Sequence, residues 1–113
     1  MNKRDVGAVY ERTALFYLKQ KGYRILETNF RCRAGEIDLI AQDGEYLVFV
    51  EVKYRSTGRK GSSLEAVTPR KQAVIRKVAQ YYLMVRRLGD SLPCRFDVVG
   101  IDEEEVTIIK NAF

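Results

Sequence analysis

The chain has 113 residues, 46% hydrophobic and 31% charged, with twenty Lys and Arg, fifteen Asp and Glu, and no histidine. That length is one domain spanning residues 1–113, able to bury about two thirds of its unfolded surface without a disulfide or metal staple. Without histidine, Ser-His and Cys-His catalysis and histidine-based nuclease chemistry are excluded, so any hydrolysis falls to carboxylates, lysines and a hard metal ion.

Arg4 to Lys21 has helical periodicity, with Ala8, Ala14, Leu15 and Leu18 on one face and Gly22 as the stop. Glu11 interrupts that apolar face, where a carboxylate needs a partner, either at a functional site or in a surface arginine. Tyr23 to Arg31 reads as a strand. Glu36 to Gln42 and Glu45 to Tyr54 read as two more, joined by a two-residue turn at Asp43-Gly44. A basic loop, RSTGRKGSS, follows. Thr68 is a helix N-cap with Pro69 at the first helical position. The helix runs to about Leu88 and stops at Gly89, with Ile75, Val78, Ala79 and Tyr82 as its inner stripe. Cys94 to Ile101 is a strand, DEEE a turn and VTIIK a last strand. Cys32 and Cys94 lack CxxC spacing and read as free thiols in a reducing compartment. A long helix between the third and fourth strands implies an α/β fold, a mixed sheet with helices packed on it. No apolar run reaches the ~20 residues of a membrane span, and the N-terminus has no signal-peptide core, so a cytoplasmic protein without a membrane partner is expected.

The charge is unevenly placed. Lys53 to Arg87 carries ten basic residues and one acid, a local +9 within a chain of net +5. That is the footprint of a polyanion partner, and Arg55, Arg59, Lys60, Arg70 and Lys71 are the candidate phosphate contacts. A solvated helix face with a basic loop is the other reading.

The stretch GEIDLIAQDGEYLVFVEVK places Glu36, Asp38, Glu51 and Lys53 in strands that are otherwise apolar. An Asp43-Gly44 turn sets Asp38 opposite Phe49 and Glu36 opposite Glu51, so all four charges are expected on one side of the hairpin. The other side is core: Ile37, Leu39, Ala41, Tyr46, Val48, Val50 and Val52. Asp38 and Glu51 are then diagonal neighbours, ~7–8 Å apart along the backbone and close enough to share a cation. Adjacent carboxylates repel unless a cation lies between them, and oxygen donors alone select Mg²⁺ or Mn²⁺. Lys53 would then orient a water or neutralise a phosphate. Alternatively, the strand is half-exposed and Lys53 pairs with Glu51 or Glu36.

Asp38 followed by Glu51-Val52-Lys53 resembles the D…(D/E)xK signature of the restriction-endonuclease-like superfamily, and the element order matches that superfamily's α-β-β-β-α-β core. The stretches GEIDLIAQDG, LVFVEVKYR, AVTPRKQ, CRFDVV and IIKNAF resemble the YraN-like family of predicted endonucleases, similar to archaeal Holliday junction resolvases. The resemblance implies Asp38 and Glu51 as metal ligands and Lys53 as the catalytic lysine. It also implies Glu11 as an acid brought toward the metal, and Gln72, with Lys71, as an assisting helix position. Glu36 ranks below Asp38, and Asp97 is as readily structural. The expectation is a Mg²⁺-dependent (or Mn²⁺-dependent) endonuclease acting on structured or branched DNA. Cutting two strands of a junction would need a homodimer. The rival readings are a nucleic-acid-binding module of the same fold with little activity, and a basic scaffold for RNA or ribosomes.

Overall fold

A computed structural model describes residues 3–55, 67–89, 91–103 and 105–113, with Lys3, Arg4, Asp5 and Arg55 described by their backbone alone. The elements follow the expected order: α1 (Lys3–Gln20), β1 (Arg24–Cys32), β2 (Gly35–Asp43), β3 (Tyr46–Arg55), α2 (Pro69–Val85), β4 (Cys94–Asp102) and β5 (Glu105–Ile109). The five strands form one sheet in the order β1-β2-β3-β4-β5. The β3–β4 pair is parallel, bridged in sequence by α2, and the other pairs are antiparallel. This is the mixed α/β sheet that the long β3–β4 connection implied.

The helix ends have local causes. Thr68 caps α2, its hydroxyl accepting from the Lys71 N–H at 3.2 Å, with Pro69 at the first position. The helix ends at Val85, a turn earlier than expected, and Arg86 and Arg87 form the turn that leads to Gly89. The stripe Ile75, Val78, Ala79 and Tyr82 is buried as expected.

Each face of the sheet has its own core. Ala14 and Leu18 of α1 pack on Leu39, Ala41, Val48, Val50, Val52, Val99 and Ile101. The α2 stripe packs on Ile37, Ile40, Leu47 and Phe49, with the Tyr82 ring edge-on to Phe49 at 5.9 Å. Gly35 lets α2 lie close to β2: its φ is +152°, and a Cβ there would sit 2.7 Å from Val74 Cγ1.

The hairpin register differs from the expectation. Asp43 pairs with Tyr46, so Gly44 and Glu45 make the turn, with Gly44 at φ +61° in its first position. Glycine at that position suits a type II′ turn. Asp43 stays in the ladder, where its side chain pairs with Arg95 at 2.7 Å and Lys110 at 3.4 Å. The pairs Leu39↔Val50, Ile40↔Phe49 and Ala41↔Val48 replace the expected ones by a shift of two, which preserves facing.

A second difference matters more. Ile37 packs with α2 while Leu39 packs with α1, so β2 changes phase at Asp38. On β1, Asn29 adopts the left-handed region at φ +51°, and Phe30 packs on the α2 side. Both changes fall on one rung, between the pairs Thr28↔Leu39 and Phe30↔Ile37. Ile37 therefore leaves the face assigned to it from strict alternation, and Tyr46, expected in the core, is exposed.

Candidate metal centre

Asp38 stands where the alternation breaks and the β2–β3 ladder stops. The last recorded pair on that side is Leu39↔Val50, and beyond it the Asp38 carboxylate accepts the Val52 N–H at 2.8 Å. A side chain thus takes a backbone donor of β3. Burial pushes the Asp38 carboxyl up to about 9, helped by a hydrogen bond to Glu51 and the nearby charges of Glu51 and Glu11, and opposed by the Val52 N–H. An acid held this way favours its protonated form, because no cationic side chain among the described residues offsets its charge and the Val52 N–H does so only in part.

Glu51 is 4% exposed, and its Oε2 has no hydrogen-bond partner among the described residues. Lys71 Nζ lies 3.4 Å from that oxygen, an ion-pair distance without hydrogen-bond geometry. We read the oxygen as partly compensated in charge and unmet in coordination. A buried carboxylate oxygen in that condition is costly.

The third element comes from α1. One carboxylate oxygen each from Glu11, Glu36 and Asp38 lie within 4.8 Å of one another. Asn29 holds two of these acids, its Nδ2 donating to Glu11 at 2.8 Å and to Glu36 at 3.2 Å, and Arg31 Nε donates to Glu36 at 2.6 Å. An octahedral Mg²⁺ with bonds of 2.0–2.1 Å sets ligand oxygens about 3–4 Å apart. Small side-chain rotations would close this set on one ion. The donors are all hard oxygens, and the buried Glu51 oxygen adjoins them through Asp38, so the residues fit such a cation.

The expected convergence is thus partly met and partly redistributed. Asp38 and Glu51 are brought together and Glu11 joins them. Glu36, ranked below Asp38, sits in the cluster as closely as Glu11. The four hairpin charges do not share one side: Glu36 turns toward α1, while Glu51 meets Lys71 of α2. The cause is the phase change at Asp38. Lys53 is half-buried and makes no hydrogen bond or ion pair among the described residues, so the alternative pairing with Glu51 or Glu36 is not formed. Gln72 Nε2 donates to the Val67 carbonyl at 3.2 Å, at the start of α2. Arg70 is exposed, and Arg59 and Lys60 lie outside the described residues.

Sequence reasoning missed Asn29 and the Lys71–Glu51 pair. An asparagine inside an apolar strand was the available signal for the first, since Asn is depleted in strands and tolerates the left-handed region. Nothing in the sequence fixed the approach of α2 that produces the second.

Fold and seam together define a small α/β protein whose mixed sheet gathers carboxylates from α1, β2 and β3. The chain belongs to the uncharacterised protein family UPF0102, whose model matches residues 10–101, a span that includes Glu11, Glu36, Asp38, Glu51 and Lys53. It is 54% identical to a UPF0102 protein of Lachnoclostridium phytofermentans, across 100% of this chain and 96% of that one. It is 48% identical to a UPF0102 protein of Alkaliphilus oremlandii, across the whole of both chains. A UPF0102 protein of Nitrosococcus oceani is also 48% identical, across 90% of this chain and 82% of its own. No helix among the described residues is long and apolar enough to cross a membrane.

Proposed function

We propose that the protein is a divalent-cation-dependent nuclease that hydrolyses phosphodiesters of structured or branched DNA. The observation that carries this reading is the buried Glu51 Oε2 without a hydrogen-bond donor among the described residues, set against an Asp38 carboxyl that burial pushes up to about 9. Asp38 and Glu51 would hold the cation, with Glu11 and Glu36 closing the other side. A bound Mg²⁺ or Mn²⁺ supplies a Lewis acid for the phosphate and an acidified water. Val52 N–H fixes one Asp38 oxygen, leaving the other to turn toward the ion. Lys53, having no partner among the described residues, is available to offset charge on the phosphate as the bond breaks. Lys71 sits against Glu51 and would have to yield or share that oxygen when the cation arrives.

The basic stretch from Lys53 to Arg87 supports a nucleic-acid partner. The test is cleavage of single-stranded, duplex, flap and four-way DNA with Mn²⁺, with Ca²⁺ and with chelator, beside calorimetric titration of Mn²⁺. Cleavage only with Mg²⁺ or Mn²⁺, and DNA affinity that falls steeply with salt, are expected. Failure of Mn²⁺ to bind would make the seam a structural cluster and end the nuclease reading. Metal binding and DNA binding without cleavage would leave a binding module of the same fold.

A further inference from the structure

We propose that the cleft between α1 and the β1–β2 edge is a pocket for one unpaired nucleobase beside the carboxylate seam. This rests on the nuclease reading and deepens it by naming the substrate class: strands that carry an unpaired nucleotide, rather than continuous duplex.

The cleft encloses about 260 Å³, with Ala8, Leu15 and Leu39 as apolar lining and Glu11, Arg12, Thr28 and Asn29 as polar lining. Apolar surface with a few convergent polar groups is the usual make-up of a small-molecule site. The volume lies just under the ~300–1,000 Å³ of drug-sized pockets. It suits a single planar ring system and is too small for a base pair.

Two features bind the cleft to the seam. Glu11 and Asn29 belong to both, since Asn29 Nδ2 donates to Glu11 and Glu36. Helix α1 supplies Ala8, Glu11, Arg12 and Leu15 at the spacing of one helical face. Strand β1 supplies two consecutive residues, which a regular strand cannot do, because alternation would send Thr28 and Asn29 to opposite sides. The left-handed turn of Asn29 is what puts both in the cleft. With Nδ2 spent on the two acids, the Asn29 Oδ1, the Thr28 hydroxyl and the Arg12 guanidinium have no partner among the described residues. They offer an acceptor and donors to a base edge at the open side of an apolar slot.

A base inside a duplex is paired and stacked, and reaching a pocket requires extrusion. That costs a few kcal/mol in general and least for a base already unpaired. A pocket of this size next to the scissile position therefore selects flaps, bubbles or junction arms with unpaired nucleotides.

The test is fluorescence anisotropy at low salt with Ca²⁺, which separates binding from cutting. The probes are a duplex with a single-stranded flap, the blunt duplex of the same sequence, and the flap made abasic along its unpaired part. Ala8→Leu fills the cleft from the helix without altering a carboxylate, and Thr28→Val removes the hydroxyl at nearly constant volume. Circular dichroism establishes that each variant is folded. Ala8→Leu is expected to weaken flap binding about tenfold, the scale of one lost base contact, with Thr28→Val in the same direction and smaller. Duplex binding should be unchanged, and the wild-type protein should bind the abasic flap as weakly as Ala8→Leu binds the intact one. Folded variants that bind the flap like wild type, or that lose flap and duplex equally, overturn the pocket while leaving the nuclease reading standing. Absence of binding to every probe by the wild-type protein overturns both.

Discussion

Two carboxylates are buried in neighbouring strands of this sheet, Glu51 on β3 and Asp97 on β4, and they are provided for in opposite ways. Asp97 is 0% exposed and accepts four side-chain donations or backbone N–H bonds: Arg95 Nε and Nη2 at 2.9 Å each, the Tyr23 hydroxyl at 2.8 Å and the Asn111 N–H at 2.9 Å. Arg95 also reaches Asp43 at 2.7 Å, so this network ties the start of β1, the end of β2, β4 and the C-terminal turn. Burial and the Asp97 hydrogen bond raise the Tyr23 hydroxyl above its usual range, so it stays a donor. Glu51 has instead one oxygen without a hydrogen bond among the described residues and a lysine at 3.4 Å. A structural acid takes its partners from the chain. An acid left short of partners at comparable burial is set up for something the chain does not supply.

The largest expected effect breaks the first of these. Asp97→Ala removes the acceptor of the Tyr23 hydroxyl and the Asn111 N–H and leaves Arg95 with Asp43 as its remaining acid, and should cost about 3–5 kcal/mol in urea unfolding, the usual cost of breaking a buried ion pair. Glu51→Gln should change stability by less than about 1 kcal/mol, because it removes a buried charge along with the weak Lys71 pair and keeps an acceptor for the protonated Asp38 carboxyl. Equal costs at the two positions would show that Glu51 is as structural as Asp97.

Activity should invert that ranking. Asp38→Asn and Glu51→Gln are each expected to lower Mn²⁺-dependent cleavage by at least about a hundredfold to a thousandfold, since each removes a charged oxygen at the reacting phosphate. Both variants should keep the wild-type circular dichroism spectrum. Lys53→Met should also slow cleavage yet leave the calorimetric Mn²⁺ affinity unchanged.

Proton linkage sharpens the contrast further. Asp38 binds its proton more tightly folded than unfolded, so its contribution to stability is complete below pH ~4 and is lost as pH rises toward about 9. One proton limits the slope to about 1.4 kcal/mol per pH unit. Asp43 and Glu27 act in the opposite direction, since Arg95 and Arg86 respectively lower their carboxyl groups, but their slope belongs below the usual carboxylate range. Denaturation midpoints measured from pH 5 to pH 9 should therefore fall. The fall should be absent in Asp38→Asn and reduced by saturating Mn²⁺, which takes the proton's place. A flat profile in the wild-type protein would remove Asp38 from this account.

Periodicity made most of the fold legible. The α2 stripe and the Thr68-Pro69 start followed from spacing and capping chemistry, and the mixed sheet from the long connection between β3 and β4. The hairpin turn was misplaced because Asp43-Gly44 is a strong local signal, and the tie of Asp43 to Arg95 and Lys110 is a tertiary one. Alternation brought Asp38 and Glu51 together correctly despite the shift, because a register change of two residues preserves facing. It failed for Ile37 and for the side taken by Glu36, because one left-handed asparagine resets the period of both strands. No periodic argument sees a single residue of that kind. The candidate site was legible in its residue types, and its geometry depended on Asn29.

The smallest effect distinguishes two versions of the seam: a cation held mainly between Asp38 and Glu51, or one held by Glu11, Glu36 and Asp38. Arg31 decides between them. Its Nε lies 2.6 Å from Glu36 Oε2, and its side chain is 62% exposed, so it competes for Glu36 from solvent while contributing little to stability. Arg31→Ala should change unfolding free energy by under about 1 kcal/mol. If Glu36 is a ligand, removing its competitor should tighten Mn²⁺ binding several-fold, and the gain should disappear when Glu36→Gln is added. If the ion sits between Asp38 and Glu51, Arg31→Ala should act only through its lost charge at a distance. That effect is largely screened at physiological salt, whereas a contact at 2.6 Å lies well inside the Debye length and is weakened less. Calorimetric Mn²⁺ titration of Arg31→Ala, Glu36→Gln and the double variant at low and at physiological salt reads the difference. A gain that survives salt and vanishes with Glu36 places the ion on the α1 side of the seam, where the Asn29 rung has already gathered its oxygens.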